Sequence, residues 1–66
     1  MDINTLVYKI RQQGMKLGQF ADVIGISRST FYRKLKGGGS NFILDEMKAM
    51  IKHLNLSKEE ARKIFC

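Results

Sequence analysis

The sequence predicts an all-α fold, a compact bundle of five helices. Three observations indicate this: apolar residues recur at three- and four-residue steps, no segment reads as a strand, and no linker is long enough to divide the 66 residues. The chain is therefore expected to be one domain, residues 1–66. This length is near the lower limit at which a hydrophobic core is sufficient without disulfides or metals.

Five segments carry the helical spacing. The predicted helices cover residues 2–13, 16–24 and 28–36, followed by a stripe over 44–54 and a last helix opened by the capping box Ser57-Lys58-Glu59-Glu60. Gly18 weakens the second of these, because a glycine inside a helix costs about 1 kcal/mol relative to alanine. The residues expected to face inward are Ile3, Leu6, Val7, Ile10, Leu17, Phe20, Ala21, Ile24, Leu44, Met47, Met50, Ile51, Leu54, Ala61, Ile64 and Phe65.

The formal net charge of +6 is unevenly distributed along the chain. Residues 23–44 contain no acid, whereas four acids crowd into the C-terminal third. Such a one-sided positive field favours a polyanionic partner such as nucleic acid. No apolar run approaches the roughly 20 residues that span a bilayer, and the N-terminus lacks the pattern of a signal peptide. A soluble, cytoplasmic protein is expected.

Catalytic and metal-binding patterns are weak. Asp45 and Glu46 are adjacent, so on a helix they face different directions and do not form an acid/base pair. The hydroxyl residues near position 28 have no neighbouring histidine as a base, and Cys66 has no partner cysteine. We therefore expect no enzyme, no cofactor, no metal and no small-molecule ligand.

The stretch ADVIGISRSTFYRKLKGG, residues 21–38, has the spacing of a helix-turn-helix. Two helices joined by a short turn and crossing steeply need a small residue where their backbones meet and a glycine in the turn. Ala21 and Gly25 meet these needs, and Ser27 is a good N-cap for the next helix. The apolar residues beneath the motif are Phe20, Ile24, Ile26 and Phe31.

The layout of five helices, the phrase ISRSTFYRKL and the later LDEMKAMIKHLNLS resemble the Cro/repressor-type (lambda repressor-like, XRE) family along nearly the whole chain. The resemblance implies sequence-specific binding to double-stranded DNA, by a homodimer on a palindromic operator. It also implies a repressor-like regulator of transcription in the genetic switch of a phage or prophage.

In that family the N-terminal part of the third helix faces base edges in the major groove. The matching positions here are Arg28, Ser29, Tyr32 and Arg33. An independent helical wheel with Phe31 buried also turns Ser29 and Arg33 outward. Because an arginine donates two hydrogen bonds to guanine O6 and N7, Arg28 and Arg33 are the main predicted base readers.

Other polar residues around the third helix are predicted to position the protein on phosphates. These residues are Lys16, Gln19, Lys36, Gly38, Ser40 and Asn41, the last three through the backbone amides of the loop from Gly38 to Asn41. Lys34 lies where the family often has an apolar residue. Leu17 replaces a polar side chain that commonly reaches a phosphate.

Three alternatives remain open. The same fold can act as a protein-interaction module that docks on a larger repressor, using an apolar patch on the last two helices. RNA is a weaker alternative, because the major groove of A-form RNA does not admit a helix. The basic cluster can also be no more than a solvated face, and Tyr32 can cap the core. For a homodimer contact the candidates are Ile64, Phe65 and the end of the fourth helix.

Overall fold

The computed structural model describes all 66 residues and contains five helices and no strand. The helices are α1 (Ile3–Gln12), α2 (Leu17–Ile24), α3 (Arg28–Lys36), α4 (Leu44–His53) and α5 (Lys58–Phe65). The all-α prediction is confirmed, and the first three boundaries agree with it to within one residue. No helix has the length and apolar character needed to cross a membrane.

Side-chain caps explain where three of the helices begin. The carboxylate of Asp2 accepts from the backbone N–H of Thr5 at 3.1 Å, and the hydroxyl of Ser27 accepts from that of Thr30 at 3.2 Å. At α5 the predicted capping box forms, with Ser57 and Glu60 each accepting from the other's backbone N–H. These bonds satisfy amides that a helix leaves without intrahelical partners.

The core is a single cluster of ten buried side chains to which all five helices contribute. Its members are Leu6, Ile10, Phe20, Ala21, Phe31, Leu35, Phe42, Met50, Leu54 and Ile64. At its centre Phe31 lies between Phe20 and Phe42. The centroid of its ring is 5.9 Å from that of Phe20 and 5.7 Å from that of Phe42. Phe42 was not among the residues expected inside, because it follows a glycine-rich loop and belongs to no periodic segment.

Two expectations about apolar residues are wrong. Leu44, expected to face inward, is 61% exposed, because it is the first residue of α4 and lines the open groove between α4 and α5 instead of the core. Ile64 is fully buried, and its backbone oxygen accepts from Asp2 N–H, so its predicted place in the core is confirmed and its predicted part in a dimer contact is wrong. The remaining candidate, Phe65, is only partly buried.

Two ion pairs each join two different helices. Lys9 of α1 pairs with Glu60 of α5, and this hydrogen bond is the main cause that lowers the pKa of Glu60 to about 2. Lys34 of α3 pairs with Glu46 of α4 at 2.7 Å. Burial of Glu46 acts to raise its pKa, but the hydrogen bonds from Lys34 and from Ile43 N–H outweigh it and the pKa is lowered. Both carboxylates therefore stay charged at neutral pH.

Candidate nucleic-acid interface

α2, the turn and α3 form the predicted helix-turn-helix. Gly25 ends α2 with φ +81°, a left-handed conformation that glycine adopts without steric cost. Ile26 N–H then donates to Ala21 O at 3.1 Å, and Ala21 is fully buried where the two helices meet. The contact between Phe20 and Phe31 fixes α3 against α2. The positions predicted for the small residue and for the turn glycine are both confirmed.

α3 has one face in the core and one in solvent. Phe31 and Leu35 are buried, whereas Ser29, Arg33 and Lys36 are exposed. Tyr32 is 48% exposed, so it does not cap the core. The face opposite the core therefore presents a hydroxyl, a phenol and two cations over about two helical turns. This is the arrangement that a helix lying in a groove of a polyanion requires.

Arg28, predicted as a base reader, is exposed at the first turn of α3 but is not free. Its Nε and Nη2 donate to the two carboxylate oxygens of Asp22, at 3.3 and 2.7 Å. The hydrogen bond from Arg28 lowers the pKa of Asp22, and the bond to Asp22 raises that of Arg28. Helical periodicity does not predict this pair; the one signal for it in the sequence is that Asp22 is the last acid before the segment that has none.

Lys34 belongs to the basic cluster in sequence but not to the exposed face. Its side chain is only 16% exposed, pairs with Glu46 and lies 5.7 Å from the centre of the Phe42 ring. Lys34 thus connects α3 to α4, at a position that the resemblance to the Cro/repressor-type family marks as often apolar. The exposed cations of α3 are Arg28, Arg33 and Lys36.

Two predicted phosphate contacts lie at the start of α2. Lys16 is exposed at the N-cap position, and a lysine side chain has no acceptor with which to cap. Instead the Gln19 side chain accepts from Lys16 N–H at 2.8 Å. The Gln19 oxygen is used in this way, which leaves its amide nitrogen and the Lys16 ammonium as donors toward solvent.

The loop after α3 is only partly available for phosphates. The amides of Gly37, Gly38 and Gly39 donate to carbonyls of the last turn of α3, that of Gly38 to Leu35 O at 3.0 Å. The predicted phosphate contact through the Gly38 amide is therefore wrong, because this donor already ends the helix. Ser40 and Asn41 remain exposed.

Outside this surface, α4 and α5 enclose an apolar groove of about 320 Å³. Its lining residues are Leu44, Met47, Lys48, Ile51, Ala61, Arg62, Phe65 and Cys66. The exposed Ile43 lies next to it in sequence. The chain has no group of three or more His, Cys, Asp or Glu side chains placed to hold a metal ion.

The model of one protein family, described as the helix-turn-helix domain of resolvase, matches residues 2–38. This is more than half of the chain, and it contains α1, α2 and α3 together with every predicted base-reading residue. No curated protein and no solved structure matches the chain significantly. The match supports a helix-turn-helix without selecting the Cro/repressor-type family, so that finer resemblance stays a prediction.

Proposed function

Since the chain belongs to the family of resolvase helix-turn-helix domains, we propose that it is a sequence-specific regulator of transcription that binds double-stranded DNA with α3 in the major groove. The observation that carries this proposal is the exposed face of Ser29, Tyr32, Arg33 and Lys36 on a helix whose other face is held in the core. Because the helix is anchored, its outward side chains are presented in a defined register.

The exposed residues have separate roles in this proposal. Arg28 and Arg33 read guanine through paired donors, Ser29 bonds to base edges, and Tyr32 packs on a thymine methyl. Lys16, Gln19, Lys36, Ser40 and Asn41 position the protein on phosphates. We propose no cofactor, no small-molecule ligand and no catalytic activity.

The biological setting is proposed from the resemblance to the Cro/repressor-type family. The resemblance favours a repressor-like protein of a phage or prophage switch, located in the bacterial cytoplasm. In this proposal the protein acts as a homodimer on a palindromic operator. Dimerisation on DNA places two copies of α3 about one helical turn apart.

A second candidate function is docking on a larger repressor, and the groove between α4 and α5 favours it. Leu44, one of its lining residues, is 61% exposed, and the charged side chains that line the groove, Lys48 and Arg62, are both cationic. Two copies facing each other through this groove would place like charges together. A different protein that carries carboxylates beside apolar residues would be complementary to it.

Substitution Arg33→Ala tests the proposed function. We expect about a tenfold loss of affinity for the duplex that the wild type enriches from a random library, since a bidentate arginine–guanine contact contributes about 1–3 kcal/mol. Discrimination at one base pair should be lost as well. Arg62→Ala on α5 is the control, because it removes the same charge from an exposed position outside the helix-turn-helix.

Titration of both variants against wild type by fluorescence anisotropy gives the comparison. Equal losses for Arg33→Ala and Arg62→Ala would contradict base reading by α3 and leave only an effect of net charge. If Arg33→Ala kept full affinity for DNA, docking on a protein would be favoured instead.

A further inference from the structure

Arg28 is held by Asp22, a residue to which the proposed function assigns no role. Its Nε and Nη2 lie 3.3 and 2.7 Å from the two oxygens of Asp22. Asp22 is on the last turn of α2 and Arg28 is the first residue of α3, so the pair bridges the turn of the motif. The bond is bidentate and therefore fixes the plane of the guanidinium as well as its position.

We infer that Asp22 is a positioning residue that determines base specificity by holding Arg28 for contact with a guanine. This inference rests on the proposed function, because it assigns the specificity of the same DNA-binding surface. Asp22 acts through Arg28 and is not itself assigned a contact with a base.

The donors of arginine make this arrangement possible. A guanidinium has five N–H groups in a planar fork. Asp22 uses the edge formed by Nε and one hydrogen of Nη2, whereas the edge formed by Nη1 and the other hydrogen of Nη2 stays free. Two parallel donors on that free edge match guanine O6 and N7. Binding to Asp22 therefore does not prevent Arg28 from reading a base.

Gly18 provides the space for this arrangement. A Cβ atom on Gly18 would lie 3.0 Å from Arg28 Cδ, 3.2 Å from Nε and 3.3 Å from Cζ. Gly18 and Asp22 are four residues apart and share a face of α2, so the arginine side chain crosses the helix at the glycine and ends at the carboxylate. This contact gives a physical reason for a glycine that is otherwise unfavourable inside a helix.

The ion pair between Arg28 and Asp22 is expected to affect DNA recognition more than the stability of the fold. The side chains of Arg28 and Asp22 are 59% and 57% exposed, and exposed ion pairs contribute little to folding. Conversely, an unpaired Arg28 is a flexible cation that binds any phosphate. With Asp22 present, part of that sequence-independent attraction is cancelled, while the oriented donors remain for the correct base.

Asp22→Asn tests the inference, with Asp45→Asn as a control that removes the same charge from an exposed position on α4. Each protein is titrated against the wild-type site and against duplexes substituted at every position in turn. We expect Asp22→Asn to lose about threefold in discrimination at the one base pair where Arg28→Ala also loses it. Its affinity for unrelated DNA should rise. Asp45→Asn should keep the wild-type pattern of discrimination.

Gly18→Ala separates positioning from folding. Alanine favours the helix, so the thermal midpoint should stay equal or increase, while the new methyl group displaces Arg28 and weakens discrimination at the same base pair. A loss of discrimination without a loss of stability is not expected from a merely structural role.

Three results would overturn the inference. Asp22→Asn could retain or sharpen the discrimination, which would mean that Asp22 is neutral or restrains Arg28 from DNA. Arg28→Ala could leave every position unchanged while other base pairs are still read, in which case the proposed function stands without this pair. A wild type that discriminates at no position would reject both the inference and the proposed function.

Discussion

Lys34 and Lys36 are two positions apart on α3, and the fold gives them different environments. Lys34 is only 16% exposed and donates to Glu46, whereas Lys36 is exposed in the last turn of the helix. The sequence shows the face that each occupies, since Leu35 between them is at core spacing from Phe31. It does not show that Glu46, twelve residues later, reaches back to Lys34.

Alanine variants of these two lysines should therefore change different properties, DNA binding for Lys36 and stability for Lys34. Lys36→Ala should keep wild-type stability and reduce the slope of log affinity against log salt by about 0.9, the value for one phosphate contact. Lys34→Ala should leave the slope unchanged and lower the free energy of unfolding by about 1–3 kcal/mol, because a nearly buried carboxylate loses its partner.

Urea denaturation and DNA titration at several salt concentrations provide the two readouts. Each lysine variant is the charge-matched control of the other. If both variants changed the salt slope equally, the assignment of Lys34 to the fold and Lys36 to DNA would be wrong.

The segment between α3 and α4, residues 37–43, begins with three consecutive glycines that have different backbone conformations and surroundings. Gly37 has φ −80°, which any residue adopts. Gly38 has φ +83° and open space where a Cβ would be, whereas Gly39 has φ +80° and is buried. A Cβ on Gly39 would meet the ends of the Met1 and Ile3 side chains.

Single alanine substitutions at these glycines should show a graded loss of stability. Gly37→Ala should be neutral or stabilise by up to about 1 kcal/mol, because it restricts only the unfolded chain. Gly38→Ala should cost about 1 kcal/mol for its left-handed backbone. Gly39→Ala should cost about as much for its backbone, with only a small addition, because the atoms nearest its Cβ are the ends of the Met1 and Ile3 side chains, which can move. Thermal midpoints for Gly38→Ala and Gly39→Ala equal to that of Gly37→Ala would contradict the left-handed backbone at these two positions.

The helices and their boundaries were predictable from the sequence where short stretches of residues determine them. Helix boundaries are marked within a few residues by the apolar periodicity, by Gly25, by Ser27 and by the capping box that begins at Ser57. The helices of the structure begin and end near these positions. Phe42 and Leu44 could not be placed in this way, because their burial depends on which helices cover them. For the same reason, the sequence does not reveal that the Gly38 amide donates to Leu35 O and so does not remain available for a phosphate.

At the scale of the whole molecule, three of the six acids each hold one cation. Asp22, Glu46 and Glu60 pair with Arg28, Lys34 and Lys9, so Arg33 and Lys36 are the exposed cations of α3 outside these ion pairs. Part of the net charge of +6 therefore lies on the exposed face of α3. The sequence predicted the sign and location of this charge because residues 23–44 contain no acid, whereas the individual pairings depend on tertiary contacts.

Selection of duplexes from a random library, followed by titration of the enriched site at two salt concentrations, tests the central claim most directly. We expect one enriched motif, arranged as a palindrome if the protein binds as a homodimer, and a slope of log affinity against log salt steeper than about −3, which indicates several phosphate contacts. Equal weak binding to all duplexes, or no binding, would contradict the account of α3 as a helix that reads DNA.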